Sequence, residues 1–428
     1  MIAAGQTRIW AAAAILAAFF APPTWAQTVS DEADLQSAAI AASDWWADDP
    51  VGDEIDPAAY FQPAAEPART PARAPARRSS GGSRQGNILL ADVPPMFGDF
   101  GMMTAQAQFI DSSGQREMTG TFDIPGAGGS RRVKIGENNS PIPQDRVYFM
   151  YNHFHNVYDF SFTEFTPAPT PVQRQLPIDR YILGIEKTFL DDWWAVEVRM
   201  PFNGSLDVST PDLSVSGGNY GNLAVIVKRL LYMDDSLALG AGLGLDLPTG
   251  SSATAQFGQA ELLFENDAVH LLPYIGAVMQ PGENLFLTSF LQIDVATGGN
   301  EVLAGPAGGP RRSFGDFREQ NLLYVDLGGG YWLYRNDYAE WVNGVAGLLE
   351  FHYTTSLQDA DTIEVNAPTL QSQITNPLNR FDVVNMSAGL NFAFGTMANL
   401  RVAGVFPLGD EDRRFFDSEV QVQFNHRY

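Results

Sequence analysis

The chain ends on Phe415-Phe-Asp-Ser-Glu-Val-Gln-Val-Gln-Phe-Asn-His-Arg-Tyr428, and the reading of this stretch decides the fold. Val420, Val422, Phe424 and Tyr428 fall on one face of a strand, while Glu419, Gln421, Gln423, Asn425 and Arg427 fall on the other. That is a period-two pattern with one apolar and one polar row. A two-faced strand at a chain end carries unpaired backbone groups. These are costly wherever water is absent, so the strand requires a partner. Pairing it with the first strand of its own sheet removes the edge and closes a barrel. The competing reading is the last strand of a soluble β-domain.

Working upstream, the same pattern repeats. It predicts strands over 145–155, 179–188, 193–202, 220–233, 236–247, 269–280, 285–296, 320–334, 339–354, 380–394, 398–407 and 416–428. Trp194, Val196, Val198 and Met200 oppose Ala195, Glu197 and Arg199, and the leucines of Leu237–Leu247 oppose Ala238, three glycines and Asp246. The apolar row is expected to face lipid and the small or polar row the interior. In 220–233, Ala224, Ile226 and Lys228 do not separate cleanly from the apolar row. Short connections at Asp191-Asp192, Asp234-Asp235, Pro281-Gly282, Asn336-Asp337 and Gly395-Thr396 alternate with long ones. The expected fold is therefore all-β: a transmembrane antiparallel up-and-down barrel of about twelve strands over 144–428. Gln259–Glu265 is read as a structured loop, with fourteen strands the alternative if it belongs to the wall.

The terminal strand with its last aromatic resembles the assembly signal of bacterial outer-membrane β-barrels. Leu243-Gly-Leu-Asp-Leu-Pro-Thr-Gly250, with Pro273-Tyr-Ile275 and Gly330-Tyr-Trp-Leu-Tyr334, resembles the transporter barrels of the phenol meta-pathway degradation family, relatives of the fatty-acid transporters. That resemblance implies a porin or transporter of hydrophobic or aromatic compounds. The long N-terminal region departs from the family pattern.

The start of the chain supports export. Arg8, the apolar run Ile9–Ala21 and Thr24-Trp-Ala26 read as a signal peptide over 1–26, which directs the chain to the outer membrane. The run is too short to span a bilayer as a helix. There is no cysteine, so disulfides and thiolate sites are excluded. A net charge of −24 argues against nucleic-acid binding. Residues 27–95 read as a disordered tail, acidic to Glu66 and then rich in Pro, Ala and Arg over 67–86. The arginine-rich arm is either a solvated spacer or a contact to an envelope polymer. Residues 96–143 fit either a lumen plug or a periplasmic segment. Within them Gly126–Arg132 lacks the Lys-Ser/Thr pair and the strand-helix context of a P-loop.

No hydrolase, zinc-protease or nucleotide motif is present, so no catalytic, cofactor or metal site is assigned. His153 and His155 share a strand face as two conceivable zinc ligands, but read more simply as interface-level residues. Glu350 with His352 is the best candidate dyad, though barrel alternation alone places them together. The expected lumen-facing residues are Glu186, Glu197, Asp246, Asp294, Asp326, Glu350 and Glu419, against Arg199 and Arg401. Charges at membrane depth must face water or each other. An acid-rich lumen favours cations. Phe286 and Phe290 suit either a greasy solute path or packing on a plug. The function expected is passage of small solutes, and the alternative is a structural or envelope-anchoring barrel. The expected partners are outer-membrane lipid, the barrel-assembly machinery through the C-terminal strand, and the solute.

Overall fold

A computed structural model describes residues 90–99, 104–110, 118–125, 132–166, 168–204, 208–209, 213–217, 219–257, 259–367, 370–375, 379–409 and 414–428. The leader, the acidic and arginine-rich stretches and Gly126–Arg131 lie outside them. The alternating rows form twelve antiparallel strands. They are β1 (Arg146–Thr166), β2 (Ala168–Phe189), β3 (Trp194–Asn203), β4 (Leu223–Met233), β5 (Leu237–Leu247), β6 (His270–Met279), β7 (Leu285–Ala296), β8 (Leu322–Arg335), β9 (Gly344–Ser356), β10 (Asp382–Phe394), β11 (Ala398–Pro407) and β12 (Ser418–Arg427). Each pairs with its sequence neighbours. β12 then pairs with β1 from Ser418↔His155 to Arg427↔Arg146, closing the barrel without an edge. The strand read from the last residues is thus the closing strand.

The two rows separate as the alternation requires. Ala195, Ala238, Glu197, Arg199, Gln421 and Gln423 are inaccessible inside, whereas Val147, Leu183, Ile185, Leu243, Phe351, Val402 and Phe424 are exposed on the outer wall. Unpaired apolar side chains on all sides of a closed barrel are the belt that lipid covers. The ambiguous strand β4 resolves with Ala224, Ile226, Lys228 and Leu230 inward. Its outward Arg229 lies over the Trp194 ring at 5.0 Å. At the short-turn end Tyr338 and Trp341 are 94% and 80% exposed, the placement of interfacial aromatics.

The short turns carry their own chemistry. Leu190, Asp191 and Asp192 all adopt positive φ between β2 and β3. Between β4 and β5, Asp234 accepts from the Ser236 and Leu237 backbone N–H groups, both at 2.8 Å, and from the Tyr232 hydroxyl at 2.7 Å. The Ser236 N–H bond, the Tyr232 hydroxyl and the Leu237 N–H hold this carboxyl down at about 2. Its folded value lies below its unfolded one. The turn's contribution is therefore complete above the ordinary carboxylate pKa and lost as pH falls through about 2. Amide exchange at Ser236 and Leu237 should accelerate between about pH 4 and 2 in the native chain. Asp234→Ala should exchange fast across that range.

The long connections are more ordered than loops. β1 and β2 extend beyond the barrel as a hairpin to Thr166 and Ala168. A further hairpin, Thr104–Ile110 with Met118–Pro125, pairs with that extension at Met118↔Glu164 to Phe122↔Phe160. It also pairs with Leu370–Thr375. Six short strands from the other long connections form a separate sheet, and Ala260–Phe264 belongs to it. Within Gln259–Glu265, Ala260–Phe264 is therefore strand outside the wall, and the fourteen-strand alternative falls because twelve strands close. Leu262, Phe264, Val302, Phe317, Ile363, Val365 and Ile374 share one apolar core with Phe154 and Phe416. The long connections thus build a packed cap at that end.

Candidate functional site: the filled lumen

The lumen is occupied by the chain's own N-terminal segment. Residues 90–99 form one limb and 132–144 the other. Leu90, Val93, Met96, Phe97, Val133, Ile135 and Ile142 are all buried. The first limb begins at the short-turn end, where Arg427 donates to the Ala91 carbonyl and pairs with Asp92. The second ends there, where Tyr428 N–H donates to the Asp145 carbonyl at 3.2 Å before β1 starts. The hairpin 104–125 lies between the limbs in sequence and pairs beyond the opposite end. The boundary drawn at residue 95 thus falls inside the first limb, because 90–95 are already lumen residues.

The wall is shaped to fit. A Cβ at Gly240 would stand 2.3 Å from the Pro141 carbonyl oxygen, and one at Gly389 would stand 2.7 Å from the Phe97 ring. Gly240 of β5 therefore marks contact with the backbone of the second limb. Gly240→Val suits a strand but collides with the second limb, and overpacking of this kind costs about 1–3 kcal/mol. Gly282→Val is the control, since nothing lies within 4 Å of its Cβ. A fall in unfolding temperature confined to Gly240→Val is the expected result.

Each expected lumen residue has a place in this packing. Glu186 accepts from Arg146 Nε and Lys228 Nζ at 2.8 Å and from Gln144 N–H at 3.1 Å. Glu197 takes Arg199 Nε at 2.8 Å and the Tyr148 hydroxyl at 2.5 Å. Arg199 also donates to the Lys134 and Ile135 carbonyls. Asp294 meets His270 at 2.7 Å and Arg132 at 3.3 Å. Asp326 meets Lys134 at 2.7 Å and His352 at 2.8 Å. Glu419 accepts from Asn152 at 2.6 Å and Gln421 at 3.0 Å. Asp246 sits opposite His270 and is 2% exposed. Burial without such partners would be prohibitive for these charges.

Glu350 and Arg401 hold the first limb by its backbone. Glu350 accepts from Phe97 N–H at 2.7 Å, Gly98 N–H at 3.0 Å and the Ser387 hydroxyl at 3.1 Å. Gly98 has φ +77°, which lets the two amides converge on one carboxylate. Arg401 donates to the Pro95 and Met96 carbonyls and lies 4.1 Å over the Phe97 ring.

The dyad of Glu350 and His352 widens to Asp326, His352 and Ser387, with His352 Nε2 3.2 Å from the Ser387 hydroxyl. Ser387 is fully buried beneath the first limb, and its hydroxyl donates to Glu350, so the group locks packing in this state. Asp99, Asp326 and His352 converge as metal ligands would. The Lys134 ammonium already sits on both carboxylates. On the outer wall His153 bonds Asp179 at 2.8 Å. Phe286 packs near Trp332, and Phe290 near Tyr274, both with centroids at 6.3 Å, in clusters that include Phe97 and Ile135. Of the two roles open to these phenylalanines, the packing shown is against the plug.

Sequence reasoning missed Arg146, Arg180 and Lys228 on the wall, and Asp99, Arg132, Lys134 and Glu137 on the limbs. All are buried. The wall then carries seven acids and five Lys or Arg among the described buried residues, a smaller acidic excess than expected. The missing signal was partly available. A buried acid demands a partner, and seven expected acids faced only two expected bases.

The fold is that of a transmembrane β-barrel of the outer-membrane type. No protein-family model matches the chain, and no curated protein sequence matches it. Among solved structures it is similar to an outer-membrane channel from Pseudomonas putida F1, at 13% identity and TM-score 0.43, covering 69% of this chain and 100% of that one. The NanC porin follows at 9% and 0.34, covering 66% and 98%. The Ralstonia pickettii toluene transporter TbuX stands at 9% and 0.34, covering 67% and 90%.

Proposed function

We propose that the protein is an outer-membrane barrel that passes small solutes, and that residues 90–99 and 132–144 hold its lumen closed at rest. The observation that carries this reading is a charged inner wall packed onto an internal segment. A barrel built only as a scaffold can fill its centre with apolar side chains. Here the charged wall side chains bond a segment that is covalently separate from the wall except at Asp145. Removing the segment would leave a water-filled path lined by those charges, with a mild preference for cations. The apolar outer belt and the leader-like first 26 residues support an outer-membrane location, with β12 as the element the assembly machinery would engage.

One observation favours the alternative, an anchoring barrel: most of the wall charges are already paired, as a static core would be. The arginine-rich stretch 67–86 would then be the tie to an envelope polymer. Liposome swelling separates the two. Liposomes carrying the chain 27–428 should admit small solutes faster than empty ones. Deleting 67–86 should leave that rate alone. Loss of envelope attachment on that deletion, with no uptake by the full chain, would establish the anchor instead.

A further inference from the structure

The first limb is held differently from the second. The second is tied by its side chains as well as its backbone: Arg132 to Asp294, Lys134 to Asp326, Glu137 to Arg180. Between residues 95 and 98 the wall's polar side chains bond backbone groups. Arg401 donates to the carbonyls of Pro95 and Met96, and Gln423 and Gln421 donate to those of Phe97 and Gly98 at 3.1 and 3.0 Å. Glu350 accepts from the two amides. Donors and an acceptor are thus set along four successive residues, the last of which takes a left-handed turn at φ +77°. Side-chain identity enters at Met96, which packs in the cluster of Ile135 and Phe290, at Phe97, whose ring Arg401 covers, and at Gly98, where a Cβ would stand 2.5 Å from Glu137 Cα. A surface that bonds main-chain groups accepts other short peptides that keep a glycine at the fourth position, much as a sheet edge accepts an added strand.

Resting on the channel reading, we infer that this strip of Glu350, Arg401, Gln421 and Gln423 is the solute path, that the solutes are short linear peptides, and that residues 95–98 are its resident occupant. Neither a hydrocarbon nor a sugar presents alternating carbonyls and amides to these four side chains. Departure of the first limb leaves the wall partly satisfied, since Glu350 keeps Ser387 and His352, and Arg401 keeps Gln423 at 2.7 Å. The second limb stays as lining, continuous with β1.

The test uses the chain 27–428 in liposomes and compares flux of the tetrapeptide Pro-Met-Phe-Gly with that of a neutral trisaccharide of similar size. The expected result is at least a tenfold faster flux for the peptide. Glu350→Ala should bring the ratio toward one. Gln423→Met changes no charge and serves the same comparison where Glu350→Ala does not insert. Equal fluxes in the native chain, or a ratio unmoved by either substitution, overturn the peptide assignment and leave the channel reading standing. Absence of any flux, both in the native chain and after removal of 27–143, overturns the channel reading and this inference with it.

Discussion

Glu350→Ala should free the first limb while leaving the barrel closed. The carboxylate is the shared acceptor for Phe97 N–H, Gly98 N–H and the Ser387 hydroxyl, with His352 Nε2 at 3.3 Å. Each buried donor left unpaired costs about 1–3 kcal/mol. Two of the three hydrogen-bond donors belong to the limb, so the loss is concentrated there. Water can replace the carboxylate only if the limb moves. Amide exchange at Phe97 and Gly98 should rise by at least about a hundredfold, equivalent to roughly 2.7 kcal/mol. Exchange at Ile135, whose N–H donates to Gln292 at 2.6 Å on the other limb, should change little. Equal acceleration at all three positions would mean that the limbs are one cooperative unit.

Arg180→Met should be the most damaging single change in the lumen. Arg180 pairs with Glu137, and both side chains are at most 1% exposed. Removing one partner of a buried ion pair costs about 3–5 kcal/mol, because the remaining charge is stranded. The damage should be reversible by design. Arg180→Met combined with Glu137→Leu removes both charges and should regain most of the lost stability, since a buried pair exchanged for apolar residues is often neutral. Denaturant unfolding of both variants in detergent checks this. A double variant no more stable than Arg180→Met alone would show that the arginine acts through other partners.

The wall was legible in the sequence because a strand with one lipid face carries its orientation in period two. Val420, Val422 and Phe424 declare it within a few residues. β4 was not, because Ala224, Ile226 and Leu230 make its inner row as apolar as its outer one. The reason is now visible: Ala224 and Ile226 pack with Val133 and Ile135 of the plug. The glycine row of β5 was readable as interior, yet not as a seat for Pro141. The limbs themselves carry no periodicity, and their partners are remote: Arg401 and Pro95 are 306 positions apart. Arg180 was hidden because its partner, Glu137, lies on a limb outside the wall. The acidic surplus expected of the lumen shrank for that reason. The cap was hidden differently, since its short strands gain their partners only from other connections.

On the channel reading, the chain's own N-terminal segment closes a path through the lumen. Single-channel recording in a planar bilayer tests it most directly, comparing chain 27–428 with a chain lacking 27–143. The full chain should be silent for most of the record, and the shortened chain should give stable, discrete steps with modest cation preference. Steady steps of equal size from both would contradict it, because the segment would then fill no path that ions use.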